Sequence, residues 1–339
     1  MTMKDLKRIF LLFVIAMTSV AVNAQQSITD AINAYNEAQG LAQSDEYVTA
    51  ISKYQEAISI ATSLGTEGQD IKDRSEKAIP KLYFAKAAAA YKSFQGSPTV
   101  VNLDAAIAEF DESREVGATS GDTEVQSRSR GVLAQLYYQK ATMLFKREDF
   151  AGADAALNNA IQTNSNYAKA YYQKGLVHKK TDPEDLDGII NWFNQAITVG
   201  ETVNDAAVVR QATGSAHAEL LFRGSKSIEQ GQNTTALETL KLSLEYNSES
   251  SDSYYRLAEA SNKLGNRDNA IRYANQALSF EKGGNTDKAK IYFELGIAYQ
   301  AKDDKGNACS ALKSASYGSF RAPSEHKMEF ELKCESANP

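Results

Sequence analysis

The fold of this chain is decided by residues 251–281, SDSYYRLAEASNKLGNRDNAIRYANQALSFE. Small residues stand here at helical spacing: Ala258 is followed by Ala270 after twelve residues and by Ala277 after seven more. Such small side chains let two helix backbones approach closely, while a bulky residue between the last two fills the remaining space. Gly265 stands between the two halves, where the chain has to turn. The segment therefore predicts a pair of antiparallel helices joined by a short turn.

The same pattern of small residues recurs along the chain. Seven copies align on the position that Ala270 occupies, and the steps between them run from 34 to 56 residues. The second and fourth copies fit only with insertions. Because one helical pair cannot bury its apolar face alone, repeated pairs predict a stack with a continuous core. The aligned residues are Ala50, Ala106, Ala153, Ile189, Ala236, Ala270 and Ala308.

Three segments carry most of the surplus length between copies. Residues 123–130 and 203–214 are free of proline and are predicted to extend the first helices of copies three and five. Residues 62–77 contain two glycines and are predicted to form a loop. The following helix is predicted to begin near Ser75, or at Pro80 if that proline occupies its first turn.

The composition agrees with a folded, helical chain. Of the 339 residues, 42% are hydrophobic, 24% are charged and only five are proline. This content of apolar residues excludes disorder along most of the chain, and the scarcity of helix breakers argues against an all-β fold. The net charge of −6 argues against nucleic acid as a partner.

In its spacing of small and bulky residues the chain resembles the tetratricopeptide repeat family. The match is clearest in residues 251–281 and nearly as good in residues 290–316, although the proline that often closes a repeat of this family is missing. The resemblance implies an all-α fold, a right-handed α-solenoid of about seven helical hairpins over residues 25–316. Residues 317–339 would then form a C-terminal capping helix, beginning at Pro323, and a tail.

The first 24 residues have the pattern of a cleavable signal peptide. Lys4, Lys7 and Arg8 form a basic start, an apolar run follows, and small residues precede a predicted cut after Ala24. A buried N-terminal helix is the alternative. No later stretch is apolar for long enough to span a membrane. We therefore expect an exported bacterial protein that is periplasmic or secreted.

The only two cysteines, Cys309 and Cys334, lie near the C-terminus. In an exported protein such a pair predicts a disulfide, and closing a loop of roughly 25 residues would stabilise the fold by about 3.5 kcal/mol. Two free buried thiols, or a metal or redox pair, are the alternatives. The bond would join the second helix of the last repeat to the capping helix.

Each first helix except that of the first copy, which has Ala34-Tyr35, carries a bulky pair three or four residues before its small residue, such as Tyr171-Tyr172 and Tyr254-Tyr255. Neighbouring residues on a helix are about 100 degrees apart, so only one member of a pair can point fully into the hairpin. The family's geometry implies that the second member faces the concave groove. In the alternative, these side chains pack between consecutive first helices. The implied peptide-binding residues are Tyr35, Phe84, Tyr138, Tyr172, Leu221, Tyr255 and Phe293.

The resemblance implies a non-enzymatic scaffold of the cell envelope that binds a peptide or partner protein in this groove. Neighbouring polar residues such as Lys169, Asn262 and Gln300 would add hydrogen bonds. Aromatic residues stand where the family's chaperone-binding members carry a carboxylate clamp, so that mode of binding is not expected. The alternative is a structural or assembly subunit that uses its convex or lateral surfaces, where Lys179, Lys180 or the second helices would matter.

Catalytic and metal-binding motifs are missing from the sequence. His178, His217 and His326 lie apart and show no metal-ligand spacing, and two S-x-x-K matches lack the companion motifs of that chemistry. We therefore expect no cofactor, no metal and no catalytic residue. An enzyme is the most remote of the three functional hypotheses.

Overall fold

In the computed structural model, which describes residues 27–334, every regular element is a helix. The predicted signal peptide, residues 1–24, lies outside the described residues, as does the end of the predicted tail, residues 335–339. Within the described part of the chain, no helix is long and apolar enough to cross a membrane. The α-helices are α1 (Ile28–Gln43), α2 (Tyr47–Ser63), α3 (Gln69–Gly96), α4 (Val100–Ser120), α5 (Thr123–Lys146), α6 (Phe150–Thr163), α7 (Ala168–Thr181), α8 (Leu186–Thr202), α9 (Ala206–Glu229), α10 (Asn233–Tyr246), α11 (Ser251–Lys263), α12 (Arg267–Phe280), α13 (Asn285–Gln300), α14 (Lys305–Ala315) and α15 (Arg321–His326).

These helices pack in consecutive pairs, from α1 with α2 to α13 with α14, which gives seven hairpins in residues 27–334. The prediction of an all-α solenoid built from helical hairpins is confirmed. In each pair the odd-numbered helix is called the first helix and the even-numbered helix the second helix. The chain divides into two compact units, Met1–Leu136 and Tyr137–Pro339, and the boundary falls inside α5.

The small residues of the repeated pattern lie where the two helices of a hairpin touch. In α11 and α12, Ala258, Ala270 and Ala277 are fully buried. In α9, Gly224 is approached so closely that an added Cβ would lie 2.5 Å from Cγ of Leu240 on α10. The pattern therefore sets the distance between helices, as the sequence predicts.

Five of the seven hairpins turn through a residue with left-handed backbone conformation, such as Gly265, at φ 73°. An aspartate often follows as the N-cap of the second helix; Asp149 and Asp304, for example, each accept a backbone N–H. The two turns without a left-handed residue belong to the copies with insertions, and each contains a proline, Pro98 or Pro183. Insertions and turn geometry thus change together.

The predicted loop at residues 62–77 is wrong for most of its length. Only a short 3₁₀ turn, Gly65–Glu67, separates α2 from α3, and α3 runs on through Pro80. A proline inside a helix removes one hydrogen bond and costs about 3 kcal/mol. Burial of Ile71 and Leu82 along α3 offsets this cost. By contrast, α5 and α9 are 24 residues long, in keeping with the predicted extensions.

The C-terminal segment closes onto the last hairpin. The helix predicted from Pro323 to about Cys334 is instead the short α15 followed by a π-helical turn, Lys327–Glu331. Cys334 forms a disulfide with Cys309 on α14, with their Cα atoms 5.8 Å apart. This bond joins the last second helix to the C-terminal segment, as the sequence predicts.

Candidate functional site

The seven bulky residues predicted to bind a peptide are all at least partly buried. Tyr255 is the most enclosed, with 8% of its surface exposed. The other six are half-buried: Tyr35, Phe84, Tyr138, Tyr172, Leu221 and Phe293.

Ring contacts explain this burial. Tyr35, Phe84 and Tyr172 each contact an aromatic ring on the second helix of their own hairpin, at centroid distances of 5.4, 5.6 and 5.8 Å. From the sequence, only the first member of each pair is expected to point there. Packing against the hairpin therefore accounts for much of the buried surface of these residues, and their role in peptide binding stays a prediction. The rings contacted are Tyr54, Phe110 and Phe193.

The remaining members of the set pack in different ways. Tyr138 contacts Tyr167 at 5.6 Å, and burial, with Tyr138 and Asp205 nearby, raises the pKa of Tyr167 to about 12. Phe293 contacts Phe320 of the C-terminal segment at 5.3 Å. Leu221 packs against the core formed by α9 to α14.

Tyr255 differs from the other six because two cations lie against its ring. The guanidinium carbon of Arg256 is 5.0 Å from the ring centroid and Nζ of Lys290 is 5.1 Å from it. Burial, first of all, raises the pKa of the Tyr255 hydroxyl to about 12, so the phenol stays neutral at physiological pH. Tyr255 is thus the centre of a polar group on two consecutive first helices, α11 and α13.

Ion pairs surround this tyrosine. Nζ of Lys290 lies 2.6 Å from Asp252, which joins α13 to α11. Glu259 lies 2.7 Å from Arg256 and 3.2 Å from Lys263, all on α11. We call the residues Asp252, Tyr255, Arg256, Glu259, Asn262, Lys263, Lys290 and Glu294 the α11–α13 polar cluster.

Glu294 is the buried acid of the cluster, with 8% of its surface exposed. The Asn262 side-chain amide donates to Oε2 of Glu294 at 2.8 Å and to its backbone carbonyl at 2.9 Å. Burial raises the pKa of Glu294 to about 7; the hydrogen bond from Asn262 opposes this, and Glu259 adds to it. This carboxyl group therefore changes protonation near neutral pH.

Asn262 is predicted from the sequence, but the ion pairs around it are not. One signal was present: Asp252 and Lys290 stand six residues before the small residues Ala258 and Gly296 of consecutive copies. Opposite charges in the same register on neighbouring first helices predict contact. Of the two other polar residues named, Gln300 bonds Glu331 and Lys327 of the C-terminal segment, and Lys169 is exposed on α7.

A second buried acid, Glu219 of α9, bridges two repeats. It lies 2.5 Å from Lys179 of α7 and 2.9 Å from Arg223, and 2% of its surface is exposed. Burial raises the pKa of Glu219, but the hydrogen bonds and charges of Lys179 and Arg223 outweigh burial and hold it below its ordinary value. Lys179, predicted as a candidate for lateral contacts, is thus engaged within the protein.

The structure brings His178 close to two acids, a grouping that the sequence does not predict. Ligand-type atoms of His178, Asp182 and Asp185 lie within 4.8 Å of one another. Nε2 of His178 is 2.8 Å from Oδ2 of Asp185, whose other oxygen accepts the backbone N–H of Gly188. These bonds fasten the end of α7 to the start of α8, which gives the group a structural role.

Comparison with known proteins identifies one repeat. Residues 251–283 match the family model described as a tetratricopeptide repeat. The search of curated proteins gave no significant match.

Solved structures with similarity to this chain have low identity and low TM-scores. The MamA protein is 18% identical over 61% of this chain and 98% of that chain, with a TM-score of 0.35. YrrB, titled a TPR protein with an unusual peptide-binding site, is 18% identical over 58% of this chain and 92% of that chain, with a TM-score of 0.35. The TPR2AB domain of yeast Sti1 in complex with pHSP90 is 15% identical over 91% of this chain and 97% of that chain, with a TM-score of 0.34.

Proposed function

We propose that this chain, a tetratricopeptide repeat protein, is a non-enzymatic scaffold that binds a segment of another protein along its first helices. The observation that carries the proposal is the α11–α13 polar cluster. It places paired charges, an amide and a largely buried tyrosine on two consecutive first helices. Such groups offer hydrogen bonds and charge to a peptide while the hairpins beneath them stay rigid.

The cluster suits binding better than the seven bulky side chains alone. Those side chains are largely engaged in packing, so apolar burial against them supplies only part of a binding surface. The ion pair of Lys290 and Asp252 is partly exposed and can exchange its internal partner for a charge on a peptide. The groove predicted from the sequence is therefore proposed in a more polar form.

The test uses peptides selected from a random displayed library against the full chain. We expect Asp252→Lys, which breaks the ion pair with Lys290, to lower the affinity for the selected peptides on the order of tenfold. Asp268→Lys is the matched control, because Asp268 forms an ion pair of the same 2.6 Å length with Lys302 but lies on the second helix α12. The control should keep affinity within about twofold. Equal losses in both variants would contradict the proposal.

Export is the second part of the proposal. Its supports are the signal-like pattern of residues 1–24 and the disulfide Cys309–Cys334, a bond that persists in oxidising compartments. In cells that make the full chain, we expect the mature protein to begin at Gln25 and to leave the cytoplasm. Intact-mass measurement of the fractionated protein checks this, and retention of residues 1–24 would contradict it.

The alternative, an assembly subunit that uses its second helices, has one specific observation in its favour. Between α8 and α10 lies a cavity with apolar walls and acidic residues among those that line it. A scaffold with a binding surface on each set of helices would unite both functions.

A further inference from the structure

The cavity between the second helices α8 and α10 has a volume of about 180 Å³. Leu186 and Ile190 of α8 and Leu242 of α10 line it, together with Leu220 of α9, which is 1% exposed. Leu242 keeps 47% of its surface exposed. An exposed leucine beside two further apolar side chains makes this cavity a small apolar slot.

The two following repeats carry polar residues at the same positions. Leu242 stands six residues after Ala236, and the residues six after Ala270 and Ala308 are Gln276 and Ser314. Leu186 stands three residues before Ile189, where the next two copies have Asn233 and Arg267. The repeat pattern therefore does not require a leucine at either position.

Two carboxylates stand at this slot. Asp187 and Glu245 line the cavity, both are exposed, and neither has an ion-pair partner within residues 27–334. Glu245 lies in the last turn of α10, a turn with no basic residue. The partial negative charge of a helix C-terminus disfavours an acid there, so the carboxylate of Glu245 interacts unfavourably with the dipole of its own helix.

Amide groups complete the lining. Asn191 and Asn194 lie on α8, and the hydroxyl of Tyr246 donates to Oδ1 of Asn194 at 2.8 Å. This bond joins α10 to α8 beside the cavity. The lining thus combines apolar walls, neutral amides and a net charge of −2 from Asp187 and Glu245.

We propose that this cavity is a docking site for a lysine or arginine side chain of a partner protein. The aliphatic part of such a side chain would lie against Leu186, Ile190 and Leu242, and its cationic end would meet Asp187 and Glu245. Charge complementarity selects this occupant: a purely apolar side chain would leave both carboxylates without a partner, and an acidic one would be repelled. The site uses second helices, so it is separate from the α11–α13 polar cluster.

The test follows methyl resonances of the full mature chain, labelled with ¹³C at isoleucine and leucine methyl groups. The probes are the acetylated methylamides of lysine, arginine and norleucine, and norleucine has the aliphatic stem of lysine without its charge. We expect the lysine and arginine probes to shift the methyl signals of Ile190 and Leu242. The norleucine probe should bind about fivefold more weakly, since two partly exposed ion pairs are lost.

Variants separate the carboxylates from the apolar walls. In Asp187→Asn combined with Glu245→Gln, affinity for lysine and arginine should fall to that of norleucine. Glu238→Gln, at an exposed acid of α10 that does not line the cavity, should change nothing. Equal binding of all three probes, absence of shifts at Ile190 and Leu242, or full affinity in the double variant would each overturn the proposal. Peptide binding by the α11–α13 polar cluster would be unaffected by any of these results.

Discussion

Two neighbouring pairs of repeats, α7–α10 and α11–α14, are built on the same spacing but use their surfaces differently. In both pairs the first helices carry paired charges, but the outer positions of α12 are polar, as at Gln276 and Ser279. In α7–α10 the corresponding outer positions hold Leu242 and the unpaired Glu245. The repeat pattern fixes the contacts inside each hairpin, and positions outside it are free to acquire separate functions.

The largest expected effect concerns the end of the α11–α14 pair. Replacing Cys309 and Cys334 by serine should lower the free energy of unfolding by about 3.5 kcal/mol, because the unfolded chain regains the entropy of a roughly 25-residue loop. Urea denaturation measures this, and the reduced wild-type protein is the control that should behave like the variant. A loss below about 1 kcal/mol would show that bonds such as Gln300 to Glu331 hold the C-terminal segment without the disulfide.

The second effect tests the buried acid of the same pair. Because the pKa of Glu294 is raised to about 7 in the folded state, the folded protein keeps a proton that the unfolded chain loses near pH 4.5. The stabilisation from this proton is fully present below the pKa of Glu294 in the unfolded chain. It is lost as pH rises through the pKa of Glu294 in the folded protein. Between pH 5 and 8 we expect wild type to lose roughly 2–3 kcal/mol relative to Glu294→Gln.

Glutamine keeps the acceptor for Asn262 but does not titrate. The difference between wild type and the variant therefore reports on the proton of Glu294 alone, because all other titrating groups are common to both proteins. Stability curves of both proteins from pH 5 to 8 measure the difference. Parallel curves would show that the carboxyl group is not held in a neutral state.

The third effect concerns a contact between helices that is made by a glycine and a leucine in α9–α10 and by two alanines in α11–α12. Gly224 and Leu240 of α9–α10 stand 16 residues apart, as do Ala258 and Ala274 of α11–α12. Alanine at a helix-interior glycine ordinarily stabilises by up to about 1 kcal/mol. Here the new methyl group would meet Leu240, so Gly224→Ala should destabilise by about 1–2 kcal/mol.

The sign of that effect should reverse when its cause is removed. In a Leu240→Ala background the same Gly224→Ala change recreates the pairing of Ala258 with Ala274, and we expect it to stabilise. A double-mutant cycle by thermal and urea unfolding measures the coupling between the two sites. Destabilisation in both backgrounds would show that the cost arises elsewhere in α9.

Much of the fold could be predicted from the sequence because small residues at fixed spacing report directly on helix contacts. Ala258, Ala270 and Ala277 identified a hairpin whose interior they fill. The course of α3 could not be predicted, because burial of Ile71 and Leu82 outweighs the local preference of Pro80, and burial is a property of the folded chain.

The candidate site was only partly predictable for a related reason. The pairs of adjacent bulky residues did not show which member would contact the second helix: Leu220 is buried in one pair, and Tyr172 contacts Phe193 in another. The cavity between α8 and α10 depends on three helices whose outer residues lie far apart in the sequence. The only signal in the sequence was that some of these residues differ from those at the same positions of neighbouring repeats, most clearly Leu242.

The smallest expected effect tests whether Glu245, at the end of α10, is an unpaired charge. Glu245→Gln should raise the free energy of unfolding by about 0.3–1 kcal/mol, because it removes an unpaired negative charge from the last turn of α10. Glu238→Gln, near the middle of the same helix, is the control and should change stability by less. Salt should shrink the difference, since the interaction is exposed and screened. A loss of stability would instead mean that Glu245 has a partner inside the protein, and the acidic side of the α8–α10 cavity would then be unavailable to a cation.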